Sequence, residues 1–200
     1  MQPILKYPGA KWRIAGWIIE SMPPHVGYLE PYAGSLAVLL NKRPSRIETV
    51  NDLDGAIVRF FRTCRNHPDE LARVVSLTPW ARMEYDMAEF DDENEVDDVE
   101  AARRFLVRSW MAFGSCMSKK TGWRNTTGKQ MNSGPDNPKL WMNLPERITA
   151  VASRLMSVQI ENRPALELIN RMSGTDLLMY VDPPMSDDPE RRTGINTGTK

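Results

Sequence analysis

Three stretches of this 200-residue chain carry side chains of the kinds that hold or polarise a ligand. The first is Tyr180-Val181-Asp182-Pro183-Pro184-Met185, where the apolar run Leu177 to Val181 ends in an acid and two rigid prolines. That run has no helical spacing and suits a strand buried on both faces of a mostly parallel sheet. Asp182 then lies at the carboxyl end of the strand, just beyond which open α/β sheets bind their ligands. Prolines there fix the directions in which carbonyls point. An ordinary strand that stops at a Pro-Pro turn fits the same residues. The second stretch, Lys6-Tyr7-Pro8-Gly9-Ala10-Lys11, is a compact, turn-prone segment with two lysines. The third, Gly114 to Pro138, is rich in Gly, Ser, Thr, Asn and Pro and sets Trp123 among Lys119, Lys120, Arg124 and Lys129. Cations around a stacking side chain suit a nucleic acid, whereas charge runs are ordinarily solvated faces.

Composition sets outer bounds on these readings. The length fits one domain, or one domain with a sizeable insertion. Formal net charge is zero, so any binding to a polyanion must come from a local patch. Cys64 and Cys116 are the two cysteines and form no Cys-x-x-Cys pair, so neither a disulfide framework nor a zinc site is indicated, and no metal is expected. A reducing, cytoplasmic setting is the default. No run approaches the roughly eighteen apolar residues that a membrane span needs, and the start lacks the apolar core of a signal peptide.

The elements that must position these stretches alternate. A helical pattern of Ile14, Ala15, Ile18, Ile19 and Met22 ends at Pro23-Pro24. Tyr28-Leu29-Glu30 is a short strand, Pro31 to Ser35 a turn, and Leu36 to Leu40 the expected start of a helix. Ile47 to Val50 is a second strand, followed by Asn51-Asp52-Leu53-Asp54 and an amphipathic helix bearing Ile57, Val58, Phe60, Phe61 and Cys64. Two rounds of strand, loop and helix argue for a parallel α/β sheet. Thr78-Pro79 has the form of an N-cap with Pro at the first helical position. Glu84 to Glu100 holds ten acidic residues and no basic one, most simply a solvated helix face. A helix over roughly Glu95 to Phe113 follows, and Ala101 to Pro135 inverts the balance to seven basic residues and no acid. Asn143 and Glu146 have capping-box spacing at the start of a helix whose core face is Ile148, Val151, Ala152 and Leu155. Val158 to Glu161 is a third strand, Pro164 to Arg171 a short helix and Leu177 to Val181 the fourth strand. Ser186 to Lys200 is a polar tail with little to bury.

Four segments in this order resemble the class alpha, Dam-type DNA adenine-N6 methyltransferases of phages and bacteria. LKYPGAK is similar to their amino-terminal cofactor motif, YLEPYAGS to the first Rossmann motif, TVNDLD to the second strand with its acid, and YVDPPM to the catalytic DPPY. The resemblance implies an α/β fold with a Rossmann-like S-adenosylmethionine-dependent methyltransferase sheet, incomplete at the C-terminus, and a helical and loop target-recognition insertion. The implied division is residues 1–75 as the first part of the cofactor domain, 76–143 as the insertion, 144–185 as the return to the domain with the catalytic motif, and 186–200 as a mobile tail. It also implies methyl transfer to N6 of adenine in double-stranded DNA, in a restriction-modification or other role. The alternative is a weak or inactive cofactor- and DNA-binding remnant of the family.

By resemblance, Glu30, Pro31, Tyr32, Ala33, Gly34 and Ser35 line the cofactor's methionine side, and Tyr7, Gly9 and Lys11 are cofactor-binding residues of the amino-terminal motif. Asp52 accepts from its ribose, the usual device of Rossmann-like sheets, and Leu53 packs on the adenine near Asn162. Gly34 admits a close backbone approach. Asp182 borders both the cofactor and the target base. Asp182 and the carbonyl of Pro183 accept from the target amine, Pro184 completes the rigid turn, and Met185 stands where the family has a stacking aromatic. A thioether still makes a soft contact with a ring. Lys119, Lys120, Trp123, Arg124 and Lys129 are the DNA-binding candidates. Relatives continue past this motif, so the fourth strand is expected to be a sheet edge, covered by a second copy or by a missing C-terminal segment.

Overall fold

The computed structural model describes residues 1–88, 96–115, 121–125, 136–172 and 174–184. Four strands form its sheet: β1 (Gly27–Glu30), β2 (Ile47–Asn51), β3 (Val158–Glu161) and β4 (Leu177–Met179). All pairings are parallel, and the order is β3-β2-β1-β4. The chain therefore steps outward from β1 through β2 to β3 and then crosses back to β4 on the far side of β1. The gap between β1 and β4 is a topological switch point, where α/β sheets form their ligand crevice. This is a Rossmann-like arrangement with a small sheet.

Eight α-helices flank the sheet among the described residues: α1 (Ala15–Glu20), α2 (Gly55–Asn66), α3 (Pro68–Ser76), α4 (Arg82–Met87), α5 (Asp98–Met111), α6 (Asn137–Met142), α7 (Leu144–Leu155) and α8 (Ala165–Arg171). Helix α2 starts where the Asp54 side chain accepts from the Ala56 amide, and it buries the expected Ile57, Val58, Phe60, Phe61 and Cys64. Helix α5 is capped in the same way by Asp97, with Asp98 and Glu100 in its first turn. Helices α3 and α7 pack together, and α2 packs on both α5 and α7. Phe60 stacks on Phe105 at 5.3 Å across the α2–α5 contact.

Several local expectations are overturned. Leu36 to Leu40 is a series of turns rather than a helix, because Gly34 and Leu36 both take positive φ (48° and 54°), which a right-handed helix excludes. Thr78-Pro79 caps nothing: α4 begins only at Arg82, while Thr78 Oγ1 donates back to the Val74 carbonyl after α3. Pro68 in α3, Pro138 in α6 and Pro145 in α7 are instead prolines in the first turn of a helix. Asn143 makes no side-chain cap, since it already closes α6 in a helical conformation. The fourth strand is three residues long and only half buried, because it lies at the sheet edge and pairs with β1 alone. The acids of the 84–100 run are not all free in solvent, as Glu84 and Glu100 grip Arg103 at 2.8 and 2.6 Å.

Candidate active site

The carboxyl ends of β1, β2 and β4 gather the motif residues around the switch point. The amide of Ala33 donates to the Asn51 carbonyl (2.8 Å) and the amide of Gly34 to Asp52 Oδ2 (2.8 Å), so the glycine turn after β1 is docked on the end of β2. Asp52 Oδ1 accepts from the Asp54 amide at 3.0 Å, which fixes the carboxylate plane. Burial raises the pKa of Asp52 against those hydrogen bonds. Tyr7 packs on Gly34: a Cβ at that glycine would stand 3.3 Å from Tyr7 Cε1, in a backbone conformation that L side chains rarely adopt. Burial, then Asp52 and Asp54, push the Tyr7 phenol up to about 12, so it stays a neutral donor.

The amino-terminal segment reaches β4 through Lys11. Its ammonium lies 2.7 Å from Asp182 Oδ2 and 2.9 Å from the carbonyl of Gly9, itself a positive-φ residue (75°). Tyr180 adds a long hydrogen bond of 3.4 Å to the same Oδ2. Asp182 Oδ1 has no hydrogen bond among the described residues, and the carboxylate is about one third exposed. One oxygen is thus anchored, and the other has no protein partner among the described residues. Pro183 and Pro184 are exposed beside it.

Asn162, after β3, donates to the carbonyls of Asp52 (2.7 Å) and Leu53 (3.3 Å), holding that loop while Leu53 itself is left 71% exposed. An apolar side chain presented in this way offers a flat ligand a surface. Asn51, part of the TVNDLD segment but not among the candidate site residues, is the joint of the three loops. Its Nδ2 donates to the carbonyls of Pro31 and Arg163 (both 3.0 Å), and its Oδ1 accepts from the Arg163 amide (2.8 Å). The one sequence signal for it is an Asn that ends a β-branched strand just before the acid. Tyr180, likewise absent from the candidates, has its hydroxyl on Asp182.

Glu30 departs from its expected place in the cofactor lining. It is 2% exposed, and its Oε2 accepts from the Tyr28 hydroxyl (2.9 Å) and the Leu39 amide (3.2 Å) beneath the glycine turn. Burial, reinforced by Asp182, pushes its carboxyl up to about 8 against those hydrogen bonds and Lys42. Ala33 and Ser35 are buried as well, Pro31 contributes its carbonyl to Asn51, and Tyr32 is half exposed. Trp123 bridges Ala112 and has the Arg82 guanidinium 5.0 Å from its ring, so this indole is packed on the end of α5. Arg124 donates through Nε to the Ala112 carbonyl at 3.1 Å. Met185, Lys119, Lys120, Lys129 and the tail 186–200 lie outside the described residues.

A parallel sheet with a glycine turn and an acid at adjacent strand ends, and a second acid across the switch point, is the frame of a Rossmann-like methyltransferase. The family model for the D12 class N6 adenine-specific DNA methyltransferases matches residues 7–188, and the chain belongs to that family. No curated protein matches it. Among the described residues no helix is long and apolar enough to cross a membrane.

Proposed function

We propose that the chain transfers a methyl group from S-adenosylmethionine to N6 of adenine in double-stranded DNA. The observation that carries this reading is the Lys11–Asp182 contact, which brings the first and last motif segments together at the switch point of the sheet. The donor set fits the cofactor. Asp52 offers a carboxylate for ribose hydroxyls, Leu53 and Asn162 flank a place for a purine, and Lys11, Tyr7 and the Gly34 turn present a cation, a neutral phenol and backbone to an amino acid end. When bound, S-adenosylmethionine supplies an electrophilic methyl on a cationic sulfur.

The exocyclic amine of adenine is a poor nucleophile because its lone pair is delocalised into the ring. Asp182 Oδ1 and the carbonyl of Pro183 would accept its two N–H groups and favour the positive charge that grows on nitrogen, an electrostatic gain aimed at the transition state. Lys11 and Tyr180, by holding Oδ2, keep Oδ1 turned toward the amine, which adds the proximity contribution. The adenine must leave the duplex to reach these groups. In this sequence Met185 follows the prolines in place of a flat aromatic, and that substitution favours a second reading, a family member that binds cofactor and DNA with little turnover. Transfer of labelled methyl to mixed-sequence duplex DNA, with Asp182→Ala as control, tests the first reading. Cofactor binding without transfer supports the second.

A further inference from the structure

A cluster of positive charge surrounds Trp110. Trp110 is 2% exposed and donates through Nε1 to the Ile4 carbonyl at 2.8 Å. Lys6 Nζ stands 4.6 Å from the centroid of its indole, and the Arg147 guanidinium stands 5.7 Å from the same ring. Ser109 Oγ clamps the Lys6 backbone on both sides, accepting from its amide and donating to its carbonyl at 2.9 Å each. Arg124 joins from the end of α5, its amide on the Met111 carbonyl. Its charge and that of Arg147, after burial itself, bring the Lys6 ammonium down to about 8.

Among the described residues no carboxylate pairs with Lys6 or Arg147. Lys6 Nζ donates to the neutral Asn137 Oδ1, and Arg147 Nη1 to the Pro3 carbonyl (2.6 Å). Asp136, next along the chain, is taken by Lys139 at 3.1 Å. An ammonium has three donors and a guanidinium five, so both cations keep spare capacity. Like charges held half-buried and close together cost free energy that an incoming anion would return.

We propose that Lys6 and Arg147, with Arg124 beside them, form an anchor for the phosphate backbone of duplex DNA around Trp110. The inference rests on DNA being the substrate, and it adds the surface that positions it. Trp110 and Arg124 belong to the 101–135 stretch of the sequence, which holds seven basic residues and no acid. Lys6 also directly precedes Tyr7, whose ring packs on Gly34 at the crevice. A duplex seated here would run beside the amino-terminal segment that carries Tyr7 and Lys11. Phosphate contacts of this kind set register without reading bases, and Arg grips phosphate in bidentate fashion.

The test is duplex affinity of the full chain against sodium chloride, by fluorescence anisotropy, for wild type, Arg147→Gln, Arg147→Lys and Asn137→Asp. Removing one cation from the phosphate backbone lowers the slope of log affinity against log salt by about 0.9. Arg147→Gln is expected to show that decrease and Arg147→Lys to restore the slope. Asn137→Asp gives Lys6 an internal counter-ion, so it should weaken DNA binding several-fold while the melting temperature stays level or rises, a result that a purely structural role for Lys6 would not produce. Unchanged slopes in folded Arg147→Gln and Asn137→Asp overturn the anchor while leaving the substrate reading intact. If Arg147→Gln does not fold, Asn137→Asp decides. Failure of the wild type to bind duplex overturns both.

Discussion

Replacing Glu30 by Gln separates a structural acid from a ligand-binding one. Glu30 lies wholly inside the protein under the glycine turn, bonded through Oε2 to the Tyr28 hydroxyl and the Leu39 amide. A glutamine oxygen can accept both bonds, and its amide mimics the protonated acid. The carboxyl titrates at about 8 in the folded chain, chiefly because burial penalises its charged form, against an ordinary 4.5. The folded state thus holds a proton that the unfolded state releases from about pH 4.5 upward. Stability from this group is fully present below pH 4.5, falls as pH rises, and is lost once pH passes about 8. At about 1.36 kcal/mol per pH unit the full loss is on the order of 5 kcal/mol, and most of it is already present at pH 7. A domain stability of about 5–15 kcal/mol makes that large. Urea unfolding at pH 5.5, 7 and 8.5 should show Glu30→Gln gaining on the wild type, from about 1 kcal/mol toward several kcal/mol. A difference that does not change with pH would refute the assignment of Glu30 as a buried neutral acid.

Three further perturbations bear on the frame and the site. Gly34→Ala should cost about 1–2 kcal/mol of stability, since it forces a side chain into positive φ. By crowding Tyr7 it should also weaken cofactor binding in calorimetry, and an unchanged affinity would remove the turn from the cofactor site. Glu48→Gln strands Lys42 and Arg154, which hold that carboxylate at 2.6 and 2.5 Å with all three side chains less than a tenth exposed. The cost should be about 3–5 kcal/mol in chemical unfolding, as for a buried ion pair deprived of one partner. Met185→Tyr should raise the methylation rate roughly ten- to a hundredfold if a flat ring restores base stacking, and an equal or lower rate would show that stacking is not what limits turnover.

The sheet and its long helices are legible in the sequence because local signals and tertiary packing agree there. Asp54 and Asp97 stand immediately before amphipathic runs and cap α2 and α5. The β-branched run before Asn51-Asp52 forms β2, and the alternation of strand, loop and helix points to the parallel pairing. Where sequence and structure part, the deciding partner is distant along the chain or already committed. Leu36 to Leu40 has apolar residues enough for a helix, yet Glu30 captures the Leu39 amide and two positive-φ residues set the path. Asn143 has the spacing of a cap, but closing α6 fixes its backbone first. Pro68 followed by Asp69 and Glu70 is a helix start in plain view, whereas Thr78-Pro79 has the same form with its hydroxyl turned back onto α3. The Lys11–Asp182 contact, between opposite ends of the chain, exists only because β4 crosses back beside β1. The motifs single out each residue separately, and topology brings the two together.

Nucleoside analysis by mass spectrometry of duplex DNA incubated with the protein and S-adenosylmethionine tests the central claim most directly. The account predicts N6-methyldeoxyadenosine, absent when Asp182 is replaced by Ala. Methylated cytosine in its place, or N6-methyldeoxyadenosine undiminished in Asp182→Ala, would contradict it.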